Sequence, residues 1–184
     1  MVIEKRLYSA EMFDNYAQRP ENTGRRLELV GGEIIEVVSN NYASMIAAAI
    51  LLEIGLHVKR GRLGYVTGAD GGYIVAGERY IPDVGFISRQ RQPEPCHDTW
   101  NPQAPDLAVE VLSPTDEERT LRIKVSNYLA AGTVVWVVDP NARTIEIHTP
   151  GQPVQVLIES DTLTAEGLFP GFALKLAEVF EQAA

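Results

Sequence analysis

The alternation of apolar and polar positions near the start of the chain predicts a helix followed by a β-hairpin. Ser9 is a favourable N-cap, and the apolar spacing after it predicts a short helix that ends before Pro20. Residues 26–30 and 33–38 have the pattern of two strands, separated by Gly31-Gly32. A pair of glycines tolerates the positive φ angles of a tight two-residue turn. The sequence therefore predicts an N-terminal β-hairpin.

Apolar residues on nearly every side of the next segment predict a long helix from Asn40 or Asn41 to about Lys59. A helix of that kind is usually buried against a sheet. Its longest apolar run, residues 45–52, is far shorter than the roughly 18 residues of a membrane span, so no span is expected. The glycine-rich stretch 61–77 lacks the Gly-Lys-Ser/Thr ending of a phosphate-binding loop, and we predict hairpin turns there.

Short apolar runs dominate the second half of the chain. Residues 81–87 and 106–112 predict buried strands, and the proline-rich segment 90–105 between them predicts an exposed loop. Later runs predict three further strands, ahead of a turn and a short C-terminal helix: residues 134–138, 144–148 and 154–158.

A predicted helix joins the strand at 106–112 to the strand at 134–138. Thr115 and Glu118 form a capping box at its start. A strand–helix–strand unit predicts a locally parallel crossover, whereas the hairpins predict antiparallel pairs. The expected fold class is thus α/β with mixed α+β character, a central mixed β-sheet flanked by helices. We expect one domain over residues 1–184.

Composition and charge are those of a globular cytoplasmic protein. Hydrophobic residues make up 45% of the chain, and the single cysteine, Cys96, excludes an internal disulfide and fits a reducing compartment. The N-terminus lacks the apolar core of a signal peptide. A formal charge of −9 argues against strong non-specific binding to nucleic acid, which depends on cationic contacts to phosphate. A small basic cleft is still compatible with it, because the distribution of charge matters more than its sum.

Asp83 and Glu110 are the strongest candidates for chemistry. Each lies in an apolar strand, where an ionised carboxylate is costly unless a cation or hydrogen-bond donors compensate it. Two converging carboxylates favour a divalent cation, and oxygen-only ligation suits Mg²⁺ or Mn²⁺. The pattern predicts metal-assisted hydrolysis. The alternatives are that Asp83, next to Pro82, faces solvent at a strand edge and that Glu110 pairs with a buried base.

Lys124 strengthens this hypothesis because the predicted helix places it beside an apolar stripe that includes Leu121 and Tyr128. If that helix packs on the sheet, the ammonium group can reach the two carboxylates. The alternative is that the lysine packs only its stem and extends its charge into water. The three histidines are too scattered along the chain for a zinc site.

With these residues in place, the chain resembles the Uma family of restriction-endonuclease-like proteins, within the PD-(D/E)XK nuclease superfamily. The resemblance extends over nearly the whole chain and rests on these segments: Leu27-Glu28-Leu-Val-Gly-Gly-Glu-Ile, Ile-Pro-Asp83-Val, Pro-Asp-Leu-Ala-Val-Glu110-Val-Leu-Ser-Pro, Lys124, Tyr-Leu-Ala-Ala-Gly132, Val-Val-Asp139-Pro and Phe-Pro-Gly171-Phe. It implies a restriction-endonuclease-like core and Mg²⁺-dependent hydrolysis of phosphodiester bonds in DNA. By analogy alone, it also implies a homodimer.

The resemblance matches the two acidic positions of the superfamily to Asp83 and Glu110, which would hold the metal with help from the Val111 carbonyl. It makes Glu28 an auxiliary metal or water ligand, for which the alternative is a solvated hairpin carboxylate. The alternative for the whole chain, favoured by its acidic charge, is a catalytically inactive scaffold that keeps the fold and binds a protein partner.

The chain departs from the superfamily at the lysine. The superfamily places it two residues after the second acid, where this chain has Leu112. Similar families carry the lysine on the following helix, and Lys124 fits such a migration. By that resemblance, Lys124 is the third catalytic residue.

Overall fold

The structure is a computed structural model, and it describes residues 7–114 and 117–181. The helices in these residues are α1 (Ala10–Ala17), α2 (Asn41–Gly61), α3 (Glu118–Ala130) and α4 (Leu176–Glu181), with a 3-10 turn at Pro20–Asn22. The strands are β1 (Leu27–Val30), β2 (Glu33–Glu36), β3 (Gly64–Gly68), β4 (Gly72–Val75), β5 (Glu78–Tyr80), β6 (Val84–Ser88), β7 (Trp100–Asn101), β8 (Leu107–Val111), β9 (Val134–Asp139), β10 (Thr144–His148), β11 (Gln155–Ile158), β12 (Thr162–Thr164) and β13 (Ala173–Lys175). Thr115, predicted to cap α3, lies outside the described residues.

A six-stranded sheet has the strand order β11-β10-β9-β8-β6-β3. Strands β8 and β9 are parallel, because α3 carries the chain back along the sheet between them, and the other neighbours are antiparallel. The parallel crossover predicted from the sequence is confirmed. Strand β8, which carries Glu110, is therefore interior to this sheet.

A second sheet has the order β2-β1-β5-β4-β7 and begins with the predicted N-terminal hairpin. Val30 pairs with Glu33, and the intervening Gly31 and Gly32 have φ angles of 58° and 77°. Positive φ at both central residues is what a type I′ turn demands, so these glycines permit the hairpin. The mixed sheets flanked by helices confirm the predicted fold class, although the strands divide between two main sheets rather than forming one.

Two apolar cores cover the opposite faces of the six-stranded sheet. On one face, α2 and α4 pack over alternate residues of β6, β8 and β9, with Phe169 and Phe172 beside Trp136. On the other face, Tyr128 of α3 and residues of β1, β4 and β5 cover Ala108 and Val137. Because side chains alternate along a strand, Glu110 shares the second face with Ala108. The candidate site therefore lies between the sheet, α3 and the N-terminal hairpin.

Helix α2 begins where the sequence predicts, since the Asn40 side chain accepts a hydrogen bond from the Ala43 N–H at 2.8 Å. Its buried residues lie on one face, while Met45 and Leu52 on the other face are 44% and 55% exposed. The helix packs against the six-stranded sheet through its buried face, which confirms the expected burial against a sheet. Among the described helices, α2 is long and apolar enough to cross a membrane, judged by length and composition only. Its buried face, however, packs in the apolar core of the fold.

The strand expected at residues 81–87 begins only at Val84. Pro82 has no N–H to donate to a ladder, and this restricts pairing before that point. The segment 90–105, expected to be an exposed loop, contains β7, where Asn101 is buried and donates to the Gln92 side chain at 2.8 Å. The pair β12 and β13 was also absent from the sequence prediction.

Candidate active site

Strands β6 and β8 bring Asp83 and Glu110 together. The strands pair antiparallel with Val84 opposite Val109, so the residue before β6 falls opposite Glu110 and the two carboxylates share one face. The Asp83 Oδ2 atom also accepts a hydrogen bond from the Val111 N–H at 2.7 Å. The two residues on which the sequence hypothesis rests therefore meet at one end of the sheet.

Helix α3 delivers Lys124 to the same point. The Lys124 Nζ atom lies 2.7 Å from Glu110 Oε2 and 3.0 Å from Glu28 Oε1. Lys124 and Tyr128 are the buried residues of α3, and the lysine side chain is 7% exposed. The alternative in which the lysine extends into water is wrong, whereas Asp83 is half-buried and lies directly before the start of β6.

Glu28, on β1 of the N-terminal hairpin, closes the cluster. It is 3% exposed and accepts hydrogen bonds from Lys124 and from the Ile81 N–H. The alternative of a solvated hairpin carboxylate is therefore wrong. In this arrangement Glu28 supports the lysine directly. It also ties β1 to the segment that leads to Asp83.

Tyr128 and Tyr80 complete the surroundings of the cluster, and the sequence reasoning did not include them in the site. The Tyr128 hydroxyl donates to Glu110 Oε1 at 3.1 Å. The Lys124 ammonium lies 5.6 Å from the centre of the Tyr80 ring, a cation–π distance. Tyr128 follows Lys124 by four residues, the spacing that places two side chains on one helical face, and this signal was available in the sequence.

Burial and mutual charge set the protonation of the cluster. Burial raises the pKa of Glu110; the Lys124 charge lowers it, the charges of Glu28 and Asp83 raise it, and the net shift is upward. Burial alone would lower the pKa of Lys124, but the carboxylates of Glu110 and Glu28 outweigh it and the pKa is raised. Burial, then Glu110 and Glu28, raise the pKa of Tyr128 well above its usual value. Lys124 is therefore a persistent cation, and negative charge is in excess around Glu110.

A cleft of about 370 Å³ opens over the cluster. Besides the cluster itself, its walls come from β2, the segment before α2, the segment after β8 and the start of α3, including these residues: Glu36, Val38, Ser113, Glu117, Thr120 and Leu121. In the described part of the chain, no group of three or more His, Cys, Asp or Glu side chains is placed to hold a metal ion. Any divalent ion here would depend on two carboxylates, a carbonyl and water.

The mixed sheet thus presents two opposed carboxylates and a buried lysine at one end. A solved structure from Anabaena variabilis ATCC 29413, described as "a putative nuclease belonging to DUF820", has the same fold, with a TM-score of 0.83 and 20% sequence identity. The match covers 96% of this chain and 99% of that one. No curated protein matches the chain.

The family model of Uma2, "Putative restriction endonuclease", matches residues 13–177. The chain belongs to this family, as its resemblance to the Uma proteins predicted. Membership supports a nuclease-like function. The restriction-endonuclease-like core expected from the sequence is thereby confirmed as the fold.

Proposed function

We propose that this chain is a metal-dependent endonuclease that hydrolyses phosphodiester bonds of DNA at the cleft over Asp83, Glu110 and Lys124. The observation that carries the proposal is the convergence of these three side chains, which are separated in sequence, at one end of the β6–β8 pair. Strongly perturbed ionisable groups that converge in a cleft are typical of functional sites.

The donors fit Mg²⁺ or Mn²⁺. Asp83 and Glu110 offer hard carboxylate oxygens on one face, and the Val111 carbonyl would supply a third oxygen. Mg²⁺ commonly binds through one or two carboxylates and keeps several waters, so this set suffices without a third acid. The negative charges that raise the pKa of Glu110 also favour a divalent cation. Glu28 is a candidate for indirect support through water.

When bound, such an ion would lower the pKa of a coordinated water and neutralise charge on the scissile phosphate. Lys124 would orient the attacking water or stabilise the negative charge that develops on the phosphoryl oxygens. Glu28 would hold the ammonium in place, and Tyr128 would fix the Glu110 carboxylate by donating to its second oxygen. The water oxygen bonds to phosphorus, the bond to one sugar oxygen breaks, and the water proton ends on that oxygen.

Metal binding and plasmid nicking test the proposal together. We expect saturable binding of Mn²⁺ by calorimetry that Asp83→Ala abolishes, and nicking of supercoiled plasmid that Glu110→Gln abolishes. Glu146→Gln, a change at a half-exposed carboxylate on β10 of the same sheet, is the matched control and should behave as the unsubstituted protein. Nicking that survives both Asp83→Ala and Glu110→Gln would contradict the assignment.

A specific observation favours a second candidate, the catalytically inactive scaffold that binds a protein partner. The Lys124 ammonium contacts both Glu28 and Glu110, so the buried charges are compensated by the protein's own lysine. A buried ion network of this kind can be structural. Absence of any saturable Mn²⁺ or Mg²⁺ binding by the unsubstituted protein would support the scaffold over the nuclease.

A further inference from the structure

Some of the lysines and arginines that the structure describes form ion pairs with carboxylates, and others do not. Among the described lysines and arginines, nine form ion pairs with carboxylates. The remaining five make no ion pair with any described residue: Arg26, Lys59, Arg60, Arg62 and Arg89. Four of these five meet on one surface, at the C-terminal end of α2 and the adjoining end of β6. We refer to Lys59, Arg60, Arg62 and Arg89 as the basic patch.

The backbone brings the four residues together. Lys59 and Arg60 lie in the last turn of α2, and Arg62 caps that helix in the left-handed conformation with φ 52°. The Arg89 N–H donates to the Leu63 carbonyl at 2.9 Å, which continues the β3–β6 ladder and places Arg89 beside the end of α2. All four side chains are exposed.

Tyr65 holds the side chain of Arg89 in place. The Arg89 guanidinium lies 5.0 Å from the centre of the Tyr65 ring and donates to the Tyr65 hydroxyl at 3.0 Å. The same hydroxyl donates to the Pro93 carbonyl at 2.8 Å. Glu94 follows Pro93 and brings one carboxylate near the patch, which leaves an excess of positive charge. A guanidinium that is held in place and not neutralised is well suited to bind phosphate.

Helix electrostatics explains only part of the patch. Cations in the last turn of a helix interact favourably with its dipole, and this accounts for Lys59 and Arg60. Arg62 caps the same helix end and interacts with the dipole as well, whereas Arg89 follows β6, and the dipole gives no reason for it. In an acidic chain, four exposed cations without acidic partners form a surface that attracts a polyanion.

We propose that the basic patch is a binding surface for the phosphate backbone of duplex DNA, separate from the catalytic cleft. The choice of DNA rests on the proposed endonuclease function. Asp83 immediately precedes β6 and Arg89 immediately follows it, so the patch is about 20 Å from the cleft along the strand. Substitutions in the patch therefore leave the cluster of Asp83, Glu110 and Lys124 untouched.

The test compares two variants that lose the same charge. The patch variant carries Lys59→Gln, Arg60→Gln, Arg62→Gln and Arg89→Gln. The control variant carries four glutamine substitutions at exposed or half-exposed cations that do form ion pairs: Arg19, Arg122, Arg143 and Lys175. Binding to a fluorescein-labelled 20-base-pair duplex is measured by anisotropy in EDTA, between 50 and 200 mM NaCl, so that cleavage does not occur.

Each phosphate contact contributes about −0.9 to the slope of log K against log salt, so four contacts contribute about −3.6, or roughly a hundredfold loss of affinity over this salt range. We expect the patch variant to bind at least tenfold more weakly at 50 mM salt, with a slope flatter by about 3. The control variant should keep most of the slope of the unsubstituted protein, because its cations are already neutralised by carboxylates.

Three results would overturn the inference: no binding of the duplex by the unsubstituted protein, equal slopes for the patch variant and the unsubstituted protein, or equal losses in both variants. Patch-dependent binding to phosphatidylserine vesicles without binding to the duplex would also overturn it. Plasmid nicking separates this inference from the proposed function. If the patch variant loses duplex binding but the unsubstituted protein does not nick plasmid, only the proposed endonuclease function is refuted. If the protein nicks plasmid but the patch variant binds the duplex equally well, only the proposed role of the basic patch is refuted.

Discussion

Replacement of Lys124 by methionine removes the cation that compensates two buried carboxylates. The Lys124 Nζ atom contacts Glu110 Oε2 at 2.7 Å and Glu28 Oε1 at 3.0 Å, and the side-chain exposure of the three residues is at most 11%. Methionine keeps much of the volume of the lysine stem but carries no charge. Glu28 and Glu110 would remain buried near each other and near Asp83 without a positive partner.

The magnitude follows from these distances. At an effective dielectric constant of about 20, a contact of about 3 Å contributes roughly 5 kcal/mol of Coulomb attraction. The desolvation of each ion opposes this by several kcal/mol, and removal of one partner from a buried pair typically costs about 3–5 kcal/mol. We expect Lys124→Met to lower the free energy of unfolding by that amount at pH 9, where Glu110 of the unsubstituted protein is ionised. Because domains are commonly stable by about 5–15 kcal/mol, the variant should be close to unfolding.

The loss should depend on pH. Burial already raises the pKa of Glu110 above its ordinary value, and without Lys124 this pKa rises further. A carboxyl with a raised pKa in the folded state destabilises the fold progressively as pH increases above its unfolded pKa of about 4.5. Both proteins lose stability in this way between pH 4.5 and about 8, where Glu110 is protonated in either fold, so the deficit of Lys124→Met relative to the unsubstituted protein should grow as pH rises above about 8.

Urea denaturation in EDTA, followed by the fluorescence of buried Trp136, measures the effect. Arg122→Met is the control for loss of an exposed ion pair, which should change the free energy of unfolding by no more than about 0.5 kcal/mol. A neutral variant with Glu28→Gln, Lys124→Met and Glu110→Gln should recover most of the loss, because no uncompensated charge remains. A loss below about 1 kcal/mol for Lys124→Met alone would refute the reasoning.

Two further predictions concern a tyrosine and two glycines. The pKa of Tyr128 is raised in the folded protein, so above pH 10 stability should fall by about 1.4 kcal/mol per pH unit for this group, a dependence that Tyr128→Phe removes in alkaline urea titrations. Gly64→Ala should cost about 3 kcal/mol or more, since its Cβ would lie 2.1 Å from the Ile87 carbonyl oxygen. Gly55→Ala, which meets no atom within 4 Å inside α2, should stabilise the protein by up to about 1 kcal/mol; equal effects of the two substitutions on thermal melting would contradict this assignment.

Local features of the sequence predicted the elements whose chemistry is local. Ser9 and Asn40 begin helices because their side chains accept the free N–H groups of the first turn. Gly31-Gly32 forms the hairpin turn because both residues take positive φ. The sequence also identified Asp83 and Glu110 as candidate site residues, because each is a carboxylate flanked by apolar residues. Local patterns did not distinguish which strands would join one sheet.

The separation of the strands into two sheets depended on contacts between distant segments. Strands β3 and β4 are close in sequence but belong to different sheets, and β7 joins β4 from a segment expected to be an exposed loop. The same long-range packing brings Glu28 from the hairpin to Lys124 on α3. Sequence spacing contains no measure of that distance, which is why a solvated Glu28 and a solvated Lys124 remained as alternatives.

The sequence by itself determined the turns, the caps, the parallel crossover and the residues capable of chemistry, because these follow from backbone preferences and side-chain type over a few neighbours. Only the tertiary structure decided which charges are compensated. It buries Lys124 between Glu28 and Glu110 and pairs most other cations with acids, while Arg62 and Arg89 remain unpaired among the described residues. The reason is physical: the cost of a charge depends on the groups and solvent around it in space, and folding sets those surroundings.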